Sequence, residues 1–365
     1  MTKLVFHLGD YKTGSTAIQT TLAAHTYECP VSVFYPWPQR VNHMDLAKTF
    51  YEKASIPHRA ARFSALKAEI EKVDAQYTII SAEQFETVDP GGLKQAIEAY
   101  LPGYLEHTRF IAYVRPHADR VISGFSENVK MGNLLDSLET FHERTLKTGR
   151  FKYFQRFSRW RDTFGDAFEL RPLIRETLLK GDVVADFMDF ALQGADFKVT
   201  GAPDKNESLC LEDWLIVRHL QEKLNAKRGL DPLVRMLIGR TLGRRFSMKL
   251  PEKMTKLRLH RSLADRIAAD YMDDAEKLDA EFFAGTPIST ALAEAPGKAN
   301  PEPHDLRIEV HFSPDELRMV DVWSDFTADM IESMPPAFAD KFRQAQNAIL
   351  SGAKPAATDG KGAGR

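Results

Sequence analysis

The apolar run Leu4-Val5-Phe6-His7-Leu8 is followed at once by a polar, glycine-containing stretch and then by apolar positions at helical spacing. The run reads as a buried strand, and Thr16 to Ala24 as a helix. The alternation recurs downstream. Val31 to Tyr35, Tyr77 to Ser81, Thr108 to Val114 and Phe168 to Ile174 read as further strands. Helices are predicted near 43–53, 59–73, 90–100 and 116–131. Tyr35-Pro36-Trp37-Pro38 reads as a rigid loop, since each proline restricts itself and its predecessor. Strands separated by helices predict an α/β fold with a parallel sheet. Leu8, Ser81 and Val114 would then end their strands at one edge, where such sheets hold ligands.

Beyond about residue 208 the pattern turns helical. Leu209, Trp214, Leu215, Val217 and Leu220 mark a helix over 208–225, and Leu259, Leu263, Ile267, Tyr271 and Leu278 mark another over 258–283. Residues 284–306, with Gly, Pro and Ala, read as a linker, and 314–334 as another helix. The division expected is a core over 1–208, a helical extension over 209–283, a linker with C-terminal helices over 284–351, and a small, polar, disordered tail over 352–365. No internal repeat is evident.

Composition narrows the class. The 365 residues suffice for a large core, and 43% hydrophobic with 27% charged content is ordinary for a globular chain. A formal net charge of −2 gives no global pull toward nucleic acid. Two cysteines, Cys29 and Cys210, are too few for a disulfide framework or a thiolate metal site. The first strand begins at the N-terminus and no apolar run has membrane-spanning length, so a cytoplasmic protein is expected.

Residues 7–19 carry the strongest chemistry. A nucleotide P-loop reads G-x-x-x-x-G-K-[ST]. Gly9, Gly14 and Thr16 fall on its glycines and hydroxyl, but Ser15 occupies the lysine position and the lysine stands back at Lys12. Glycines permit the turn, helix N-terminal amides and dipole attract an anion, and Lys12 adds a full charge. The displaced lysine points to a nucleotide lacking a γ-phosphate, and no metal is expected. A second element begins with Arg115 at a strand tip. Pro116 suits a helix start, and Ser123 lies about two helical turns further on. Arg115 and Ser123 could grip a second phosphate.

Together these segments resemble sulfotransferases that use 3′-phosphoadenosine 5′-phosphosulfate (PAPS), most closely the bacterial carbohydrate-type members. The resemblance lies in Lys12-Thr13-Gly14-Ser15-Thr16, in Arg115 through Ser123, and in Ile79-Ile80-Ser81-Ala82-Glu83, where Ala82 replaces a second serine. Asn206-Glu207-Ser208 is a weaker match. The likeness covers roughly the first 130 residues.

It implies a P-loop NTPase-like parallel sheet flanked by helices, with a largely helical C-terminal portion. It also implies that Lys12, Thr13, Gly14, Ser15 and Thr16 hold the 5′-phosphosulfate, while Arg115 and Ser123 hold the 3′-phosphate. PAPS would be the co-substrate, and a carbohydrate or glycoconjugate hydroxyl (or amine) the acceptor. Transfer should be in-line, with Lys12 neutralising the leaving phosphate. Glu83, after a strand end, is the first candidate for the general base. His43, after the proline-rich loop, is the second, and His7, inside the first strand, the third. A P-loop kinase or hydrolase would want a lysine at position 15 and a Mg²⁺-organising acid. A non-catalytic nucleotide-binding protein is the other alternative.

Residues 227–261 hold eleven Lys or Arg against Asp231 and Glu252, a formal +9 that leaves −11 on the rest of the chain. Leu233, Met236, Leu237, Ile238, Leu242 and Phe246 are interspersed, so part reads as an amphipathic helix. A solvated basic surface, a guide for an anionic acceptor, and a peripheral contact with anionic lipid are the three readings. Oligomeric state is not legible.

Overall fold

Strand formation follows the apolar runs, and the alternation within each run decides which side chain faces which layer. The computed structural model describes residues 2–133, 136–201, 209–227, 230–249, 251–252, 254–335 and 337–350. The strands are β1 (Lys3–His7), β2 (Tyr27–Glu28), β3 (Val33–Phe34), β4 (Tyr77–Ser81), β5 (Thr108–Val114), β6 (Phe168–Pro172) and β7 (Lys198–Val199). Five of them form a parallel sheet in the order β3-β4-β1-β5-β6, while β2 and β7 pair antiparallel in a separate ribbon.

The helices in the first part of the chain are α1 (Ser15–Ala23), α2 (Met44–Lys48), α3 (Arg59–Lys72), α4 (Pro90–Tyr100), α5 (His117–Lys130), α6 (Leu138–Thr148), α7 (Tyr153–Phe164) and α8 (Val183–Leu192). They are followed by α9 (Leu211–Ala226), α10 (Pro232–Ser247), α11 (Arg261–Phe282), α12 (Pro287–Lys298), α13 (Pro314–Glu332) and α14 (Phe338–Leu350). The α/β fold with a helical C-terminal portion is as the sequence predicts.

Both faces of the sheet are covered, as a parallel sheet requires. Val5, Ile79, Ile111 and Tyr113 face one layer, where Ile18 and Leu22 of α1 and Phe187 and Met188 of α8 bury them. Phe6, Ile80, Phe110 and Val114 face the other, against a larger core that draws on Phe125 of α5, Trp160 of α7, Trp214 of α9 and Tyr271 of α11. The second half of the chain is thus continuous with the core of the first.

Register sets the site. His7 lies level with Ser81 on one side and with Ile111 on the other. The chain leaves β1 toward β3 and β4, whereas β5 lies on the other side of β1. The carboxyl end of β1 is therefore the topological switch point, where an open α/β sheet presents its crevice.

Several sequence expectations are revised. The helix expected over 43–53 is shorter, Met44–Lys48, and the strand over 31–35 contracts to Val33–Phe34. Residues 284–306 are not simply a linker, because α12 occupies Pro287–Lys298 and buries Ile288 and Leu292 against α11. Pro287 stands in the first turn, which tolerates proline, and Asp279 of α11 accepts the backbone N–H of Ile288 (3.0 Å) and Ser289 (2.8 Å). Asn206-Glu207-Ser208 and the 352–365 tail lie outside the described residues. Among the described residues no helix is long and apolar enough to cross a membrane.

Candidate functional site

The loop from Leu8 to Gly14 crosses the end of β1, and its path depends on residues that accept a left-handed backbone. Gly9 has φ +67° and Gly14 has φ +81°, a region that glycine enters at little cost. At Gly9 the fit is also steric, since an added Cβ would lie 2.5 Å from Glu83 Cα. Gly9 thus lets the loop press against the turn that carries Glu83. Lys12 is left-handed as well, at φ +69°, a conformation unusual for a side-chain-bearing residue. The Thr13 hydroxyl donates to the Asp10 carbonyl (2.7 Å) and closes the turn. Thr13 and Ser15 are buried, whereas Lys12, Gly14 and Thr16 are partly open. Gly14 caps α1 without a side-chain bond, so the first amides of α1 follow directly from the loop.

Glu83 follows the β4 end by two residues and lies buried beside the loop. The Ser15 hydroxyl donates to its Oε1. The residue standing where a P-loop lysine would be is therefore bound to the carboxylate. His43 reaches the same edge but is fully committed to backbone. Its Nδ1 accepts the Ser81 N–H (3.0 Å), and its Nε2 lies 2.9 Å from the Pro36 carbonyl, which needs the ring N–H to donate. These contacts specify a neutral tautomer, and burial pushes the imidazole down to about 4. His7 lies below them, 2.8 Å from the Ser81 hydroxyl, and burial takes it down to about 3.

Arg115 follows β5 and donates from Nη1 to the Lys12 carbonyl at 3.3 Å, so the two basic residues predicted from separate motifs meet. Ser123 lies on α5, partly buried, two turns beyond Arg115. One turn further on the same helix is Glu127, which the sequence reading did not single out. Its carboxylate receives Lys12 at 3.4 Å, Lys130 at 3.1 Å and Arg240 at 3.1 Å. Burial opposes its ionisation, but Lys130, Lys12 and Arg240 outweigh burial and hold the carboxyl well below the usual range. Burial in turn lowers the Lys12 ammonium pKa, with Glu127 opposing the shift. The spacing of four from Ser123 was the available signal for Glu127.

A second charged cluster lies beneath the loop. Asp10 is buried and bonds Arg156 (2.8 Å) and Arg120 (3.5 Å). Glu86 accepts from Arg156 (2.9 Å) and from the Tyr11 N–H (3.3 Å). Burial, then the neighbouring Asp10, push Glu86 up to about 7, while the two arginines overcome burial at Asp10 and bring it down to about 2. Sequence spacing carried no sign of this cluster, whose members come from four separate segments.

The basic 227–261 segment finds partners at home, only some of them charged. Lys227 pairs with Asp329 (2.5 Å) and Glu332 (3.0 Å) of α13, Arg235 bonds Asn225, and Arg244 bonds Gln346 (2.5 Å). Arg245 and Lys249 remain exposed. Among the described residues, no group of three or more His, Cys, Asp or Glu side chains is arranged to hold a metal.

No family model and no curated protein matches this sequence. Among solved structures, the chain is similar to a sulfotransferase from Alicyclobacillus acidocaldarius. The identity is 12% and the TM-score 0.40, over 79% of this chain and 98% of that one.

Proposed function

We propose that the protein is a PAPS-dependent sulfotransferase acting on a hydroxyl or amine, with a carbohydrate or glycoconjugate as the acceptor class. The observation that carries this reading is the exchange of roles within the loop. Ser15 stands where a nucleoside-triphosphate P-loop has its lysine, and its hydroxyl is engaged by Glu83. The cationic reach of the loop passes to Lys12, whose carbonyl is held by Arg115. A donor carrying charge at both a 5′-phosphosulfate and a 3′-phosphate suits that pair better than a triphosphate does.

In this scheme the α1 amides with Thr13, Gly14, Ser15 and Thr16 cradle the 5′-phosphosulfate, and Arg115 and Ser123 take the 3′-phosphate. The acceptor oxygen or nitrogen attacks sulfur in line, the bond from sulfur to the bridging phosphate oxygen breaks, and Lys12 neutralises charge growing on that oxygen. Glu83 takes the acceptor proton. It suits the base role better than His43, because among the described residues its carboxylate accepts only a serine hydroxyl that can rotate away, whereas both His43 nitrogens bond backbone groups. His43 instead ties the Pro36 loop to the end of β4.

Calorimetric titration with 3′,5′-adenosine bisphosphate and with ATP–Mg²⁺ tests the donor assignment. Tight binding of the bisphosphate alone, with labelled sulfate passing to an acceptor from a glycan panel, is the expected result. Preference for ATP–Mg²⁺ with hydrolysis would assign the loop to a kinase or hydrolase, and bisphosphate binding without transfer to any acceptor would make the protein a nucleotide-binding module.

A further inference from the structure

Helix α10 seats closely on α5 only because two of its residues have no side chain. At Gly239 an added Cβ would collide with the Lys130 carbonyl and the Gln221 amide, and at Gly243 it would lie 2.9 Å from Lys130 Cδ. Gln221 of α9 fastens the junction, donating to the carbonyls of Lys130 (2.5 Å) and Arg235 (3.0 Å). The residue after Gly239 is Arg240, and this docking delivers its guanidinium to Glu127.

The two carboxylate oxygens of Glu127 are divided. Oε1 accepts Arg240 Nε, while Oε2 accepts both Lys12 and Lys130. Lys12 makes the longest of the three contacts. The Glu127 side chain is only 14% exposed, so a bare carboxylate there is strongly disfavoured. If Lys12 turns to another anion, Lys130 still covers Oε2 and Arg240 still covers Oε1. Without Arg240, Oε1 loses its partner and the carboxylate competes harder for the Lys12 ammonium.

We infer that Arg240 is a positioning residue for Lys12: the Glu127 carboxylate competes for the Lys12 ammonium, and Arg240 satisfies Glu127 so that Lys12 is free to serve an anion on the loop. The inference rests on the proposed role of Lys12 at the donor.

The test is a cycle of Arg240→Gln, Glu127→Gln and the double variant, with Arg240→Lys as the charge-keeping control. Binding of 3′,5′-adenosine bisphosphate is measured by calorimetry, and folding by thermal unfolding. Arg240→Gln should weaken binding about tenfold, and Arg240→Lys should stay within about twofold of wild type. Glu127→Gln should bind at least as tightly as wild type. The double variant should recover to within about threefold of Glu127→Gln, because the competing carboxylate is gone. A double variant as weak as Arg240→Gln would mean that Arg240 touches the ligand directly, and unchanged binding in Arg240→Gln would leave Arg240 without a role; either result overturns the inference.

Failure of the wild type to bind the bisphosphate would instead refute the proposed donor. The positioning claim is then decided without ligand, by the rate at which an amine-selective reagent labels Lys12, followed by mass spectrometry. Labelling slower in Arg240→Gln than in wild type, but faster in Glu127→Gln and in the double variant, supports it, and equal rates in all four proteins overturn it.

Discussion

Lys12 combines a left-handed backbone, a carbonyl held by Arg115 and an ammonium shared with one carboxylate. Its charge contributes little to stability, since Glu127 keeps two other cations. Lys12→Ala should therefore shift stability by no more than about 1 kcal/mol. Turnover in a sulfate-transfer assay should fall by about a hundredfold or more, the scale of losing a preorganised charge at the leaving oxygen. Full turnover in that variant would remove Lys12 from the mechanism. Arg115→Ala should weaken 3′,5′-adenosine bisphosphate by about ten- to a hundredfold, the range of a charged hydrogen bond, with 5′-AMP changed far less. Equal losses for both ligands would show that Arg115 acts only by holding the Lys12 carbonyl. Glu83→Gln keeps the bond from Ser15 but removes basicity, so it should lower kcat while leaving bisphosphate affinity intact. If His43→Ala is inactive with normal affinity and Glu83→Gln is active, the base is His43.

At the scale of elements, the site depends on two tight backbone approaches. One brings the loop against the Glu83 turn at Gly9, and the other brings α10 against α5 at Gly239. Ala at position 239 would improve helix propensity by about 1 kcal/mol, yet its methyl would meet a backbone carbonyl that cannot rotate aside. Gly239→Ala should therefore be net destabilising in denaturant titration and should lower activity by lifting Arg240 from Glu127. Unchanged stability and activity would mean that α10 tolerates a looser seat. The Gly239-x-x-x-Gly243 spacing was readable in the sequence as a mark of close helix approach, but nothing local named α5 as the partner.

Across the whole molecule, charge is arranged in buried groups and in exposed remnants. Glu86 has its proton affinity raised in the folded protein to about 7. The folded state then binds more protons than the unfolded chain between the ordinary carboxylate range and pH 7, so this contribution weakens as pH rises through that window. Glu86→Gln removes the titration and should gain stability over wild type as pH rises from the ordinary carboxylate range toward 7, with a constant difference above that. A pH-independent difference in chemical denaturation would remove the claim that Glu86 is held protonated. At the surface, Arg245 and Lys249 are two of the exposed members of the basic segment, with Arg240, Lys256, Arg258 and Arg261. Reversing Arg245 and Lys249 to Glu should raise the apparent KM for an anionic acceptor severalfold with little change in donor affinity, and wild-type KM should rise with salt. Salt-independent kinetics would leave the segment as solvated surface.

Local pattern was enough to set the parallel sheet, the glycine-dependent loop at the end of β1 and the meeting of Lys12 with Arg115. All three follow from short-range pattern: apolar runs make strands, helices between them make the strands parallel, and strand ends then share an edge. Glu83 was legible for the same reason, as the residue just past a strand end. The engagement of both His43 nitrogens by backbone groups was not legible, because hydrogen-bond partners depend on where the Pro36 loop settles. The helix at Pro287–Lys298 was obscured by its Gly, Pro and Ala content and is defined by packing on α11. Glu127 with its three cations, and Asp10 and Glu86 beneath the loop, required the tertiary structure. Their partners lie as many as 146 residues apart in the chain, and no local periodicity encodes which distant helix is brought to a given strand end.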